Sequence, residues 1–414
     1  MTAIQILIIM VPVMFFFMGF ALDLGQLYVV NGELKTAANS MAVAAAEQLI
    51  GTDASTGNAA SAAQLTLDDS SGAANKYNFG SLVIGQQNGN LTSTAAAPAF
   101  YADVADALGT GGTGDTGNTV GGAAARHAKV TISAEVPLTF WTFIPINTAP
   151  KTTVAVQAVA GMSAPLCVAC GIEPFAVAPL NAGDATDFGF VPGNEYTFAY
   201  LCNGAPTPAV LTGTTGLISY LLLNRYDTTT TILPSEDDQL YRDGAAGLPG
   251  SATQAQSCFL INNVETIWQS ALPLACARAS VAPSVTEALC GLDTRFDQTP
   301  PAVCAGIANI DSLSSIYSPD SDTSLIADYT QYQGTGRRVI TIPVVDTLNP
   351  TGSMTVLGFR QFLVEPNLNA VDINPADNYG RFGALYIGSV MPVKQGRFDG
   401  CQQTAGPGKV VLHQ

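Results

Sequence analysis

The chain has 414 residues, of which 47% are hydrophobic and 12% charged, enough apolar material for two or three domains and too much for disorder along the whole length. Lys and Arg number 16 against 32 Asp and Glu, a formal charge of −16. Phosphate backbones are neutralised by Lys and Arg, so this balance argues against nucleic acid as a partner; it suits a solvated outer surface.

Residues 4–22 are apolar over the length that crosses a bilayer as a helix, with Gln5 and Pro12 as the only interruptions. Proline is tolerated in such a helix because neighbouring groups satisfy the freed carbonyl. A cleaved leader is the alternative. It would want a basic start, a shorter apolar stretch and a better cleavage site than "GFA". No Lys or Arg precedes Lys35, so flanking charge does not orient the segment. Orientation rests on the cysteines below, which put the N-terminus inside and the body outside.

After Asp23 the pattern changes without a helix stop. Leu27, Val30, Leu34, Ala37, Met41 and Ala44 recur at steps of three and four, while Asn31, Glu33, Lys35, Asn39 and Glu47 fall off that stripe. At 1.5 Å per residue the helix would project about 40 Å past the bilayer. Alanine lets helices approach closely, so the stripe packs against the chain's own body, against copies of the chain, or against partner subunits. Asp23 reads as a solvated carboxylate at the interfacial end of the helix, with an inter-subunit contact as the alternative.

"GFALDLGQLYVVNGELKTAANSMAVAAA" resembles the start of TadG-like and TadE-like proteins of tight-adherence (Flp-type) pilus systems. Pro12, Asp23, Gly25, Tyr28, Leu34, Ala37, Ala38 and Ala44 to Ala46 match that family by position. Gly32-Glu33 and Asn39-Ser40 depart from it. Two later stretches are also similar: the alternating runs 129–136 and 152–160 around an aromatic-proline patch, and residues 337–366. The resemblance implies a pilin-like structural protein whose helices bundle with TadG-like or TadE-like partners or with copies of itself. Type IV pilins carry a glutamate at the fifth mature position; with Met1 as the mature terminus Gln5 would supply hydrogen bonds there but no charge, and a neutral polar residue at the membrane edge is the equal alternative.

Residues 51–122 are rich in Ala, Gly, Ser, Thr and Asn and end in the loop-like "GTGGTGDTGNTVGG". "ANKYNFG" and "AFYADVADALG" read as short ordered stretches within it, and Asn90-Leu91-Thr92 fits a glycosylation sequon. From residue 165 Pro, Gly and Cys rise. Helices are expected over 254–271 and 283–289, and strands over 339–345, 354–364 and 384–393.

All eight cysteines, Cys167, Cys170, Cys202, Cys258, Cys276, Cys290, Cys304 and Cys401, follow residue 160. An even number behind a membrane-targeting start reads as disulfides in an oxidising compartment. Sequence does not choose the partners, although the equal spacing of Cys276, Cys290 and Cys304 suggests small closed loops. "CVAC" has no second Cys pair or nearby histidines for zinc, and Gly171 stands where covalent haem needs His. A redox pair would want a strand-then-helix setting, whereas this stretch reads as strand and turn.

No catalytic grouping emerges. The only histidines are His127 and His413, and there is no Gly-x-Ser-x-Gly elbow, phosphate loop or His-Glu-x-x-His. Asp311-Ser312-Leu313-Ser314-Ser315 approaches a von Willebrand A-type metal motif but has Leu313 at a ligand position. Asp320, Asp322 and Asp328, and Glu236, Asp237 and Asp238, read as solvated acidic loops without the EF-hand spacing.

The sequence therefore predicts an α+β protein, a long N-terminal hydrophobic helix followed by a β-rich, disulfide-bonded globular region, in domains 1–50, 51–162 and 163–414. The expected role is that of a non-enzymatic, pilin-like subunit of a surface filament, with no cofactor, metal or nucleic acid. Assembly would run through Gln5, Pro12, Asp23 and the Leu27–Val30–Leu34–Ala37–Met41–Ala44 stripe, after residence in the inner membrane. A monomeric membrane-anchored adhesin or binding protein is the alternative.

Overall fold

The computed structural model describes residues 2–66, 92–95, 97–109, 119–138, 151–202, 207–223, 241–247, 258–262, 264–266, 283–297, 299, 301–304, 318–349, 353–366, 373–398, 401 and 403–413. The chain divides into two compact units, one of residues 1–49, 55–161 and 411–414, the other of residues 50–54 and 162–410.

The first unit opens with α1 (Thr2–Glu47), which runs unbroken through Pro12. Its 46 residues span about 70 Å. Gly51, at φ 84°, turns the chain beyond its end, a backbone conformation that glycine adopts freely. α2 (Ser55–Leu65), β1 (Thr92–Ala95), β2 (Ala99–Tyr101), α3 (Val104–Leu108), β3 (His127–Pro137) and β4 (Lys151–Met162) follow. The expected alternation over 129–136 and 152–160 forms the β3–β4 pair, antiparallel from His127↔Gly161 to Pro137↔Lys151 without a shift in register. β1 and β2 both pair with β3, and the C-terminal strand Val410–His413 adds to β4. β3 buries Ala128, Val130, Ile132, Ala134 and Val136 at period two. α1 packs against both β3 and α2, and the small residues Ala59 and Ala63 of α2, both buried, keep that approach close.

The second unit contains β5 (Val168–Cys170), β6 (Phe175–Val177), β7 (Glu195–Tyr200), β8 (Gly216–Leu222), β9 (Cys258–Leu260), β10 (Val264–Thr266), a helix at Pro283–Asp293, β11 (Val339–Val345), β12 (Ser353–Glu365), β13 (Phe382–Gly388) and β14 (Gln395–Arg397). β12, β11, β6, β8, β7 and β13 are hydrogen-bonded in that order, and β13 pairs back onto β12. The sheet thus closes into a six-stranded barrel, with β10 attached outside the ring on β12. The β6–β11 and β7–β8 pairs are parallel and the rest of the ring antiparallel. Closure leaves few backbone groups unpaired at an edge. Most residues of the barrel strands are buried, as in β11, where all seven are, and β12 takes Arg360, Gln361 and Glu365 into the interior with its apolar residues. Aromatic rings fill the core: Phe198 stacks on Phe382 at 4.8 Å and meets Phe362 edge-on at 5.0 Å. A smaller sheet, β14-β5-β9, carries one of the cysteine pairs described below, and the first cysteine of another immediately precedes β5.

The α+β class, the long apolar helix and the β-rich disulfide-bonded region all stand as expected. The helix expected over 254–271 does not form where that stretch is described: Cys258–Leu260 and Val264–Thr266 are strands, separated by a turn in which Asn262 takes φ 63°. Pairing of β9 with β5 and of β10 with β12 outweighs the helical spacing of the apolar residues. The strand expected over 384–393 ends at Gly388, φ 82°, and the helix expected over 283–289 continues to Asp293. "ANKYNFG", the sequon at Asn90, most of the Gly-Thr loop, residues 236–238 and 311–315 lie outside the described residues.

Candidate functional site

Among the described residues, most of the exposed large apolar side chains lie on the N-terminal helix. Leu7, Met10, Met14 and Phe17 on one face are exposed, as are Ile8, Phe15 and Leu22 on a second and Val13, Phe16 and Phe20 on a third. A helix that is apolar all round needs lipid or protein about it, and α1 is long and apolar enough to cross a membrane. Pro12 lies within the exposed part. The side chain of Gln5 lies outside the described residues.

Burial begins along one line of the helix. Gly19, Asp23, Val30, Leu34, Ala37 and Met41 follow each other at steps of four, seven, four, three and four, and all are buried. Ala38, Ala42, Ala45 and Ala46 widen that line toward the C-terminal end of α1. Leu27 and Ala44 are half-buried. The stripe from Val30 to Met41 is thus occupied inside the chain's own first unit, where α1 meets α2 and β3. On the opposite side Gly25 and Gly32 are bare, with no atom within 4 Å of where a Cβ would stand.

Asp23 corrects the solvated-carboxylate reading. It is only 3% exposed and makes an electrostatic or hydrogen-bonding contact. Its place on the stripe face, four residues after Gly19, turns it inward, where a carboxylate requires a partner.

Three disulfides lie among the described residues: Cys167–Cys401, Cys170–Cys258 and Cys290–Cys304. Cys202 is disulfide-bonded as well, and Cys276 lies outside the described residues. "CVAC" is therefore no redox or metal pair. Its two cysteines, one just before β5 and one at its end, go to different partners, one 234 residues away and the other 88. Alternation along β5 sends Cys170 to Cys258, directly opposite on β9.

Charge is buried at several places that sequence reading passed over. Arg338, fully buried, donates from Nη2 to Glu365 Oε2 at 2.7 Å and from Nε to the Val364 carbonyl at 2.9 Å, with its guanidinium 5.2 Å over the Phe296 ring. Burial pushes the Glu365 carboxyl up to about 8, and Arg338 pulls it back. Asp320, assigned above to a solvated loop, is fully buried and accepts a hydrogen bond from the Tyr332 hydroxyl. Burial raises its carboxyl too, against the pull of Tyr332 and the Asp322 N–H. Asp328 is exposed, as expected of that loop, and accepts from the Thr330 N–H. Arg295 Nη2 donates to Glu173 Oε1 at 2.6 Å, while Glu173 Oε2 accepts from the Thr341 N–H at 2.7 Å. These groups bond one another and the backbone around them, with only Glu365 Oε1 of their buried side-chain nitrogens and oxygens left unbonded, an arrangement that fixes loops to the barrel. Among the described residues no group of three or more His, Cys, Asp or Glu side chains could hold a metal ion.

No curated protein and no solved structure matches the chain. The first helix does have a counterpart: residues 2–48 match the family model described as putative Flp pilus-assembly TadE/G-like, so α1 is similar to that family's segment.

Proposed function

We propose that the chain is a non-enzymatic, pilin-like structural subunit of a Tad-type surface filament. α1 inserts in the inner membrane, then bundles with neighbouring subunits, and the disulfide-bonded body is displayed outside. The observation that carries this reading is the division of one continuous helix: the described side chains between Leu7 and Leu24 are bare and mostly apolar on every face but the Gly19–Asp23 line, while the same helix from Val30 onward is anchored in its own unit. Such a helix holds a body firmly at a fixed distance from whatever covers its N-terminal half. The match of residues 2–48 to the TadE/G-like model supports a pilus-associated role, and the disulfides suit an oxidising exterior.

A second reading, a monomeric membrane-anchored adhesin or binding protein, draws on a specific observation: Ala37 and Met41 are already buried within the chain, so much of the expected assembly stripe is closed to other subunits. Single cysteines at exposed positions, Met14→Cys or Phe17→Cys, separate the two. A filament subunit gives an oxidative cross-linking ladder in sheared surface material that negative-stain microscopy shows to be filamentous and that contains peptides of this chain. An unladdered chain confined to the membrane fraction overturns the filament reading and favours the anchor.

A further inference from the structure

The chain's two histidines, 286 positions apart in sequence, meet in the first unit. Their ring centroids lie 5.2 Å apart at an interplanar angle of 72°. His127 opens β3, and its register partner on β4 is Gly161; the C-terminal strand that carries His413 lies on the other side of β4. His127 therefore reaches across β4 to touch a strand two places away. It does so because position 161 has no side chain: a Cβ there would lie 2.0 Å from His127 Nδ1. His127 is 8% exposed, and neither its Nδ1 nor His413 Nε2, both buried, has a hydrogen-bond partner.

We infer that the His127–His413 contact is an acid-sensitive latch, which holds the C-terminal strand on β4 while both rings are neutral and releases it when they take up protons. Two imidazolium ions at this separation repel each other, and the burial of His127 removes water from one side of the pair. The charged groups around His127 are Asp103, which favours its protonation, and Arg126 and His413, which oppose it. Lys129 lies two residues along the same face of β3. β4 sets Gly161 opposite His127, and β2 sets Tyr101 opposite it on the other side.

His127 is pushed down to about 4, first by burial and then by His413, and burial also lowers His413. A histidine freed from the contact titrates near its ordinary 6.5. The open form thus binds more protons between these values, so the latch is fully closed above pH 6.5 and weakens as pH falls toward 4. At pH 5 the His127 shift alone favours opening about 30-fold over neutral pH.

The test is hydrogen exchange, read by mass spectrometry, on the full chain in detergent. After correction for the intrinsic rate, protection of peptides covering residues 411–413 and 155–161 should fall about 30-fold between pH 7.5 and pH 5. The His127→Phe/His413→Phe double variant keeps a ring contact that does not titrate and should show no such loss. The same pH dependence in the double variant, or none in the native chain, overturns the inference. If the variant fails to fold, NMR of histidine-labelled native chain decides, since the imidazole signals come from these two residues alone. His127 titrating below pH 5 supports the latch, and both rings titrating near 6.5 refute it.

Discussion

Arg338 has no contact with water, and its value to the fold depends on Glu365 staying opposite it. Removing one member of a buried pair strands the other, so Arg338→Met should destabilise the second unit by about 3–5 kcal/mol in chemical denaturation, whereas Arg338→Met/Glu365→Leu should recover most of that loss. Gly161 is an equally local requirement of a different kind. Gly161→Ala puts a methyl group where His127 Nδ1 lies, so it should expose residues 411–413 to hydrogen exchange at pH 7.5, where the native latch is closed. Neither residue stands out in the sequence. An arginine is ordinarily a surface residue and a glycine ordinarily a turn, and only the partner across the fold gives each its role.

At the scale of the element, α1 combines two helices' worth of duties. Its inner stripe was legible because three-and-four spacing is a local property, carried by Val30, Leu34, Ala37 and Met41 themselves. Which body fills that stripe was not legible, since β3 and α2 lie far along the chain. Ala37 is fully buried, so Ala37→Leu should cost about 1–3 kcal/mol through overpacking, seen as a lowered melting midpoint of the first unit in detergent. Phe17→Ala, on the bare half, should leave that midpoint within about 0.5 kcal/mol of native. The contrast separates folding from assembly: loss of filaments in Ala37→Leu alone would report a damaged subunit, loss in Phe17→Ala a damaged interface. The strands at Cys258–Leu260 and Val264–Thr266 show the opposite case. Their helical spacing was a local signal that pairing with β5 and β12 overrode.

At the scale of the molecule, the second unit rests on a closed barrel fastened by cross-links far apart in sequence. Phe362 is fully buried and touches the rings of Phe190, Phe198 and Tyr386. Phe362→Ala should therefore cost about 3–5 kcal/mol in denaturant unfolding. Cys167–Cys401 closes a loop of 234 residues, and Cys167→Ser/Cys401→Ser should lower stability by about 2–5 kcal/mol. The apolar strands 339–345 and 354–364 announced a buried sheet in the sequence. Its closure, through β13 returning to β12 and the parallel β6–β11 and β7–β8 pairs, depends on segments that carry no mark of their neighbours.

By itself the sequence determined the features that depend on residues close together in the chain: an apolar helix of membrane-crossing length, a packing stripe continuing it, the β3–β4 alternation and an even set of cysteines confined to the later part. Hydrophobic periodicity and composition act over a few turns or strands, and they survive without knowledge of the fold. Tertiary structure alone decided that Asp23 faces inward, that the two cysteines of "CVAC" part for Cys401 and Cys258, that Arg338 finds Glu365, and that the two histidines meet across a glycine. Each of these is a contact between distant positions, set by the register and closure of sheets, and such pairings leave no periodic trace in either partner.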